Sequence, residues 1–96
     1  MPTFISLVNF TDQGIRGVKD SPNRAETFMA AANRMGLQVK GMWWTQGSYD
    51  MVVVTEGSDE AGMAALLATA MQGNVRSQTL RAYSAGEFKK ILSMLP

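Results

Sequence analysis

The chain has 96 residues, room for one domain that buries about 64% of its unfolded surface on folding. It contains no cysteine and no histidine, which excludes disulfides, thiolate nucleophiles and imidazole bases or ligands, so we expect no metal and no cofactor. The net charge of +1 comes with no basic stripe, and no apolar run reaches the ~18 residues of a bilayer span. We therefore expect neither nucleic-acid nor membrane binding, and, without a signal-peptide pattern, a cytoplasmic location.

The first third of the chain predicts a strand, a loop and a helix. Residues 3–10 alternate with large apolar side chains on both sides, which predicts a central strand covered on both faces. Residues 11–20 are rich in turn formers and are predicted to be a loop. Ser21 is predicted as the N-cap of a helix with Pro22 at its first position, and Gly36 as its C-terminal stop.

The middle of the chain predicts a hairpin followed by a second helix. Residues 37–45 and 50–56 are predicted strands joined by a tight turn at Gln46-Gly47-Ser48. Ser58-Asp59-Glu60 opens a helix with acidic residues at the positive end of its dipole. Its apolar periodicity predicts a buried stripe, composed of Met63, Leu66, Leu67, Ala70 and Met71.

The last third predicts an edge strand and a third helix. Residues 75–83 are predicted to form a strand that is more polar than the others, which is typical of a sheet edge. Arg76 and Arg81 would lie on opposite faces of this strand. Ser84 and Glu87 have the spacing of a capping box, which predicts a helix start. The residues that give this helix its apolar face are Phe88, Ile91, Leu92 and Leu95.

The order of elements is β-α-β-β-α-β with an additional C-terminal helix, which predicts a ferredoxin-like α+β domain over residues 1–96. We expect a four-stranded antiparallel sheet in which strands one and three are central and, by right-handed crossovers, parallel to each other. Two helices would cover one face of this sheet. The other face is also apolar, so we expect it to close a homodimer of the dimeric α+β barrel type.

The turn of the predicted hairpin carries the most specific motif, Gly47-Ser48-Tyr49-Asp50. Together with stretches at 11–16, 18–22, 73–76 and 79–83, followed by Glu87-Phe88, it resembles the GYD domain family across nearly the whole chain. The resemblance implies a small bacterial-type domain related to dimeric α+β barrel proteins. It implies no activity.

The residues themselves allow two interpretations of the motif. In the first, Gly47, Tyr49 and Asp50 serve only to form the hairpin turn. In the second, Tyr49 and Asp50 also face a ligand, with Tyr49 as hydrogen-bond donor and Asp50 as base. Trp43 and Trp44, adjacent on a strand, should point to opposite faces, and both are candidate ligand or interface residues.

Two functions follow from these interpretations. The first is a dimeric small-ligand-binding or structural module without catalysis. The alternative is a cofactor-free oxygenase or isomerase acting on a small apolar or aromatic molecule, which rests on analogy of fold. Gln13 and Arg16, in the predicted loop, complete the candidate ligand-binding residues.

Overall fold

Four strands form one sheet in the computed structural model, which describes residues Met1–Pro96. The strands are β1 (Thr3–Phe10), β2 (Gln38–Trp44), β3 (Met51–Glu56) and β4 (Val75–Ala82), in the spatial order β2-β3-β1-β4. This order confirms the ferredoxin-like α+β fold, with β4 at an edge. Every neighbouring pair is antiparallel, so the expectation that strands one and three are parallel is wrong. The crossover makes β1 and β2 run the same way, and the hairpin then returns β3 between them.

Four α-helices accompany the sheet, one more than the sequence predicted. They are α1 (Asp12–Arg16), α2 (Ser21–Arg34), α3 (Asp59–Ala70) and α4 (Ala85–Leu92). The predicted loop at 11–20 is therefore wrong, since it contains α1 and a short 3₁₀ helix, Val18–Asp20. The Thr11 hydroxyl caps α1 by accepting from the Gly14 N–H at 3.1 Å. Gly14 is a site of close approach rather than a turn, because a Cβ there would lie 1.9 Å from the Asn74 carbonyl oxygen.

Serine caps start two of the other helices. Ser58 accepts from the Ala61 N–H at 3.1 Å, and Ser84 forms the predicted capping box with Glu87. The prediction that Ser21 is the N-cap of α2 is wrong. Ser21 is a buried residue at the start of the helix, preceded by Asp20, and its hydroxyl serves a tertiary contact instead.

The predicted buried stripe of α3 is also wrong. Met63, Leu67 and Met71 are more than half exposed, whereas Ala61 and Ala65 are buried. The helix itself carries apolar residues on more than one side, so the stripe of large residues did not identify the buried face. The structure places small residues inward, where α3 approaches α2.

The sheet has one covered and one open face. Helices α2 and α3 lie over the first, while α4 makes few contacts with any other element. The molecule measures 52 × 31 × 19 Å, with a Cα radius of gyration of 14.7 Å. A compact chain of this length has a radius near ~12.5 Å, so the shape is extended.

Candidate functional site

A cavity of about 550 Å³ lies between the sheet and helices α2 and α3. Its floor consists of alternate residues of the three strands β1, β3 and β4. These are Phe4, Ser6, Val8, Phe10, Met51, Val53, Thr55, Val75, Ser77, Thr79 and Arg81. Small-molecule sites in proteins typically have volumes of ~300–1,000 Å³ and mainly apolar linings, so this cavity has the size and character of a binding site.

The cavity exists because both helices direct small side chains toward the sheet. Ala25 and Ala32 of α2 and Ala61 and Ala65 of α3 are buried, and three of these pack together with Leu37. A second buried cluster lies on the sheet itself and consists of Val8, Met51 and Val53. Phe28 and Val39 pack against both clusters, and Phe28 also lines the cavity.

The floor of the cavity changes from charged to apolar along β4. Register pairs Arg81 with Phe4, Thr79 with Ser6, Ser77 with Val8 and Val75 with Phe10. The hydroxyls of Ser6 and Thr79 are hydrogen-bonded at 3.1 Å. Each step of two residues advances about 6.6 Å, so the floor runs for about 20 Å from a guanidinium to two apolar side chains.

Two arginines line the cavity and donate to neutral acceptors. Arg81 lies over the ring of Tyr83, at 4.5 Å from its centroid, and donates to the carbonyl oxygens of Thr3 and Ala82. Arg24 donates to the carbonyl oxygen of Gly17 at 2.9 Å. Asp59, in the first turn of α3, is the carboxylate of the lining.

The turn Gly47-Ser48-Tyr49-Asp50 is held to β1 by Asp50. Its carboxylate accepts from the Phe10 N–H at 2.8 Å, and its own N–H donates to the Val8 carbonyl oxygen at 2.8 Å. Gly47 has φ +102°, which is the left-handed conformation that favours glycine. The Phe10 bond ties Asp50 to β1, and the φ of Gly47 favours glycine at that position.

Tyr49 lies on the open face of the sheet. Its hydroxyl donates to the Gln78 side-chain oxygen at 3.3 Å, and it borders a shallow depression with Leu7, Asn9 and Arg76. Arg76 and Arg81 thus lie on opposite faces, as predicted. Tyr49 and Asp50 are outside the lining of the large cavity, and their part in ligand binding stays a prediction.

The tandem tryptophans point in opposite directions, as predicted. Trp43 pairs with Val52 on the open face and crosses Gly41, where a Cβ would lie 2.2 Å from the indole. Trp44 points toward α2, and its indole N–H donates to the Ser21 hydroxyl at 3.0 Å. Neither lines the cavity.

Gln13 and Arg16 are exposed on α1. The Gln13 amide donates to the Gln72 carbonyl oxygen and to the Asn74 side chain, each at 2.9 Å, and so ties α1 to the turn before β4. Arg16 ends α1. The structure therefore brings none of the six sequence-predicted ligand residues into the cavity.

Sequence reasoning missed the residues that define the cavity. The available signal was the run of alanines and glycine on α3 beside bulkier residues, together with the alternation of Ser77, Thr79 and Arg81 on β4. No group of three or more acidic, cysteine or histidine side chains is placed to hold a metal ion. None of the helices combines the length and apolar character needed to cross a membrane.

The fold is that of a small α+β protein already seen in a crystal structure. The structure of TTHA0845 from Thermus thermophilus matches with a TM-score of 0.52 and 22% identity, covering 88% of this chain and 96% of that one. The chain belongs to the GYD domain family, whose profile matches residues 4–92. It is also 37% identical over 84 residues to the "Glutamine synthetase and cystathionine beta-lyase binding protein" of Thermus thermophilus, covering 85% of this chain and 88% of that protein.

Proposed function

We propose that this chain is a non-catalytic binding module that holds a small, largely apolar molecule between its sheet and its helices. The observation that carries the proposal is the cavity of about 550 Å³ beneath the alanine-lined faces of α2 and α3. Its lining supplies apolar contact area, hydroxyl groups and two guanidinium groups, which are means of recognition.

The test is ligand screening by thermal shift with two matched variants of α3. Ala65 is buried and lines the cavity, so Ala65→Phe should fill it and abolish the response to any hit. Ala64 is exposed on the same helix and outside the lining, so Ala64→Phe should keep the response. A ligand at 100 times its dissociation constant adds about 2.7 kcal/mol, which is readily seen as a melting shift. An unchanged response in a folded Ala65→Phe variant would refute the proposal.

The same proposal includes a homodimer formed through the open sheet face. Six apolar side chains form one contiguous patch there, namely Ile5, Leu7, Trp43, Val52, Val54 and Leu80. The chain exposes 6545 Å², about 1,100 Å² more than a compact chain of its mass. Four strands of at most eight residues cover only about 500 Å², below the ~800 Å² per partner of a standard interface. We therefore expect micromolar affinity, with α4 available to extend the contact.

Sedimentation equilibrium with two leucine variants tests the dimer. Leu80 lies on the open face and Leu67 on the outer side of α3, and both are exposed. Leu80→Asp should yield monomers at concentrations where the parent chain and Leu67→Asp are dimeric. A parent chain that stays monomeric at hundreds of micromolar would contradict this part. We place the dimer in the cytoplasm, in keeping with a chain that lacks cysteine.

A second candidate function is the binding of another protein. Two observations favour it. The relative from Thermus is named as a binding protein for two enzymes, and α3 exposes the apolar pair Leu67 and Met71 outside the cavity lining. Direct titration of this protein with the glutamine synthetase and the cystathionine beta-lyase of its own source organism tests this function. Met71→Asp should weaken any complex formed through this surface of α3.

The alternative of a cofactor-free enzyme would use the same cavity for its substrate. The Asp50 carboxylate, which it would use as a base, already accepts from the Phe10 N–H. We propose instead that Tyr49 and Trp43 act at the dimer seam, where they lie on the open face. Gln13 and Arg16 remain candidate contacts at the exposed end of α1.

A further inference from the structure

The charge distribution along the cavity indicates the chemistry of its ligand. Arg81 is at the end of the floor where β1 begins, and Val75 with Phe10 is at the other. Between them lie the paired hydroxyls of Ser6 and Thr79. A ligand that follows this floor meets a cation first, then hydroxyl groups, then apolar side chains.

The guanidinium of Arg81 has capacity for an anion. Its donors reach only carbonyl oxygens of Thr3 and Ala82, which carry no charge, and its central carbon lies over the ring of Tyr83. The nearest acid of its own segment is Glu87, whose pKa is lowered mainly by hydrogen bonds from Ser84, with a smaller contribution from Arg81. Glu87 is thus already engaged in its capping box.

One carboxylate of the lining works against an anionic ligand. Asp59 is in the first turn of α3, where the positive end of the helix dipole offsets its charge. Arg24, the other cation of the lining, likewise donates only to carbonyl oxygens, those of Gly17 and Gly14, but it lies on α2 and not on the floor. Among the strand residues that form the floor, Arg81 is the one that carries a charge.

We propose that the cavity takes an elongated amphipathic monoanion, with its carboxylate on Arg81 and its apolar part toward Val75 and Phe10. This inference rests on the proposed small-ligand function and adds the charge and orientation of the ligand. Charge-assisted hydrogen bonds to a guanidinium are geometrically specific and stronger than neutral ones. Arg81 is exposed, so we expect a preference of about tenfold, not larger, for an anion over its neutral analogue.

The experiment compares three probes of equal chain length by titration calorimetry: decanoate, decan-1-ol and decylammonium. Decanoate should bind about tenfold more tightly than decan-1-ol, and the difference should shrink at high salt. In Arg81→Gln the two probes should bind alike, and Arg81→Lys should restore part of the preference. Arg76→Gln is the matched control, because Arg76 is on the same strand but on the opposite face. It should behave as the parent chain.

Each result has a distinct meaning. Equal binding of decanoate and decan-1-ol would overturn the anion inference and leave the small-ligand function standing. Tighter binding of decylammonium than of decanoate would overturn it and would indicate a cation bound at Asp59. An equal loss of the preference for decanoate in Arg76→Gln and Arg81→Gln would show an effect of net charge alone and would also overturn the inference. Failure of all three probes, together with a screen in which Ala65→Phe has no effect, would remove the proposed function itself.

Discussion

Replacing Asp50 tests whether its carboxylate holds the turn Gly47-Ser48-Tyr49-Asp50 to β1. The Asp50 carboxylate accepts from the Phe10 N–H at 2.8 Å. Its backbone bonds to Val8 and Thr45 do not depend on the side chain. Asp50→Ala therefore removes one charge-assisted hydrogen bond and leaves a half-buried N–H without a protein partner.

The expected loss of unfolding free energy follows from that single bond. Hydrogen bonds to charged groups contribute about 1.5–3 kcal/mol, and half burial favours the low end. A loss of about 1.5 kcal/mol should lower the melting temperature by about 6–12 °C in a domain of this size. Asp50→Asn keeps an acceptor and should cost about 0.5 kcal/mol. Tyr49→Phe loses only a 3.3 Å bond to Gln78 and should cost about as little.

Thermal denaturation at one fixed protein concentration measures all three variants, because association makes the melting temperature depend on concentration. Amide hydrogen exchange at Phe10 adds a local readout, since Asp50→Ala should accelerate exchange there. Melting of Asp50→Ala within about 1 °C of the parent chain, or a larger loss in Tyr49→Phe than in Asp50→Ala, would refute the reasoning.

Three further predictions concern a pair of glycines, a helix cap and an indole. Gly47→Ala should lower the free energy of unfolding, measured with urea, by about 1 kcal/mol, because residue 47 has φ +102° with open space around it. Gly14→Ala should lower it more, because the added Cβ would overlap the backbone of Asn74. Hydrogen bonds from Ser84 lower the pKa of Glu87, so the capping box that these two residues form stabilises α4 at neutral pH. This stabilisation is lost as the pH falls through the lowered pKa of Glu87. The Ser84 amide shift should follow this titration and stay flat in Glu87→Gln. Trp44→Phe should cost about 1 kcal/mol, measured by urea unfolding, because it leaves a buried serine hydroxyl without its indole donor.

Local signals in the sequence predicted the elements well. The capping box at Ser84 and the positive φ at Gly47 each depend on a few adjacent residues, and both are present. The sequence predicts a loop in place of α1 because residues 11–20 are rich in turn formers, and Gly14 is one of them. Its actual constraint is the Asn74 carbonyl oxygen, 60 residues away in sequence, which no local pattern contains.

The cavity could not be predicted for a related reason. Placing the largest apolar residues inward is the usual rule, and for α3 it selected Met63 and Leu67. The structure buries Ala61 and Ala65 instead. A space between two layers depends on how both layers pack, and the position of Arg81 at its end depends on the register that pairs it with Phe4.

The eight methionines of the chain allow the most direct measurement of the central claim. Four of them line the cavity, namely Met35, Met42, Met51 and Met63, and four do not, namely Met1, Met29, Met71 and Met94. The protein is labelled at its methionine methyl groups and titrated with a screened ligand or with decanoate, and the methyl signals are followed by NMR. A ligand held between the sheet and the helices should shift the first four signals and leave the second four in place. Saturable shifts confined to the second four, or no shift in either set with any ligand that stabilises the protein, would contradict the claim.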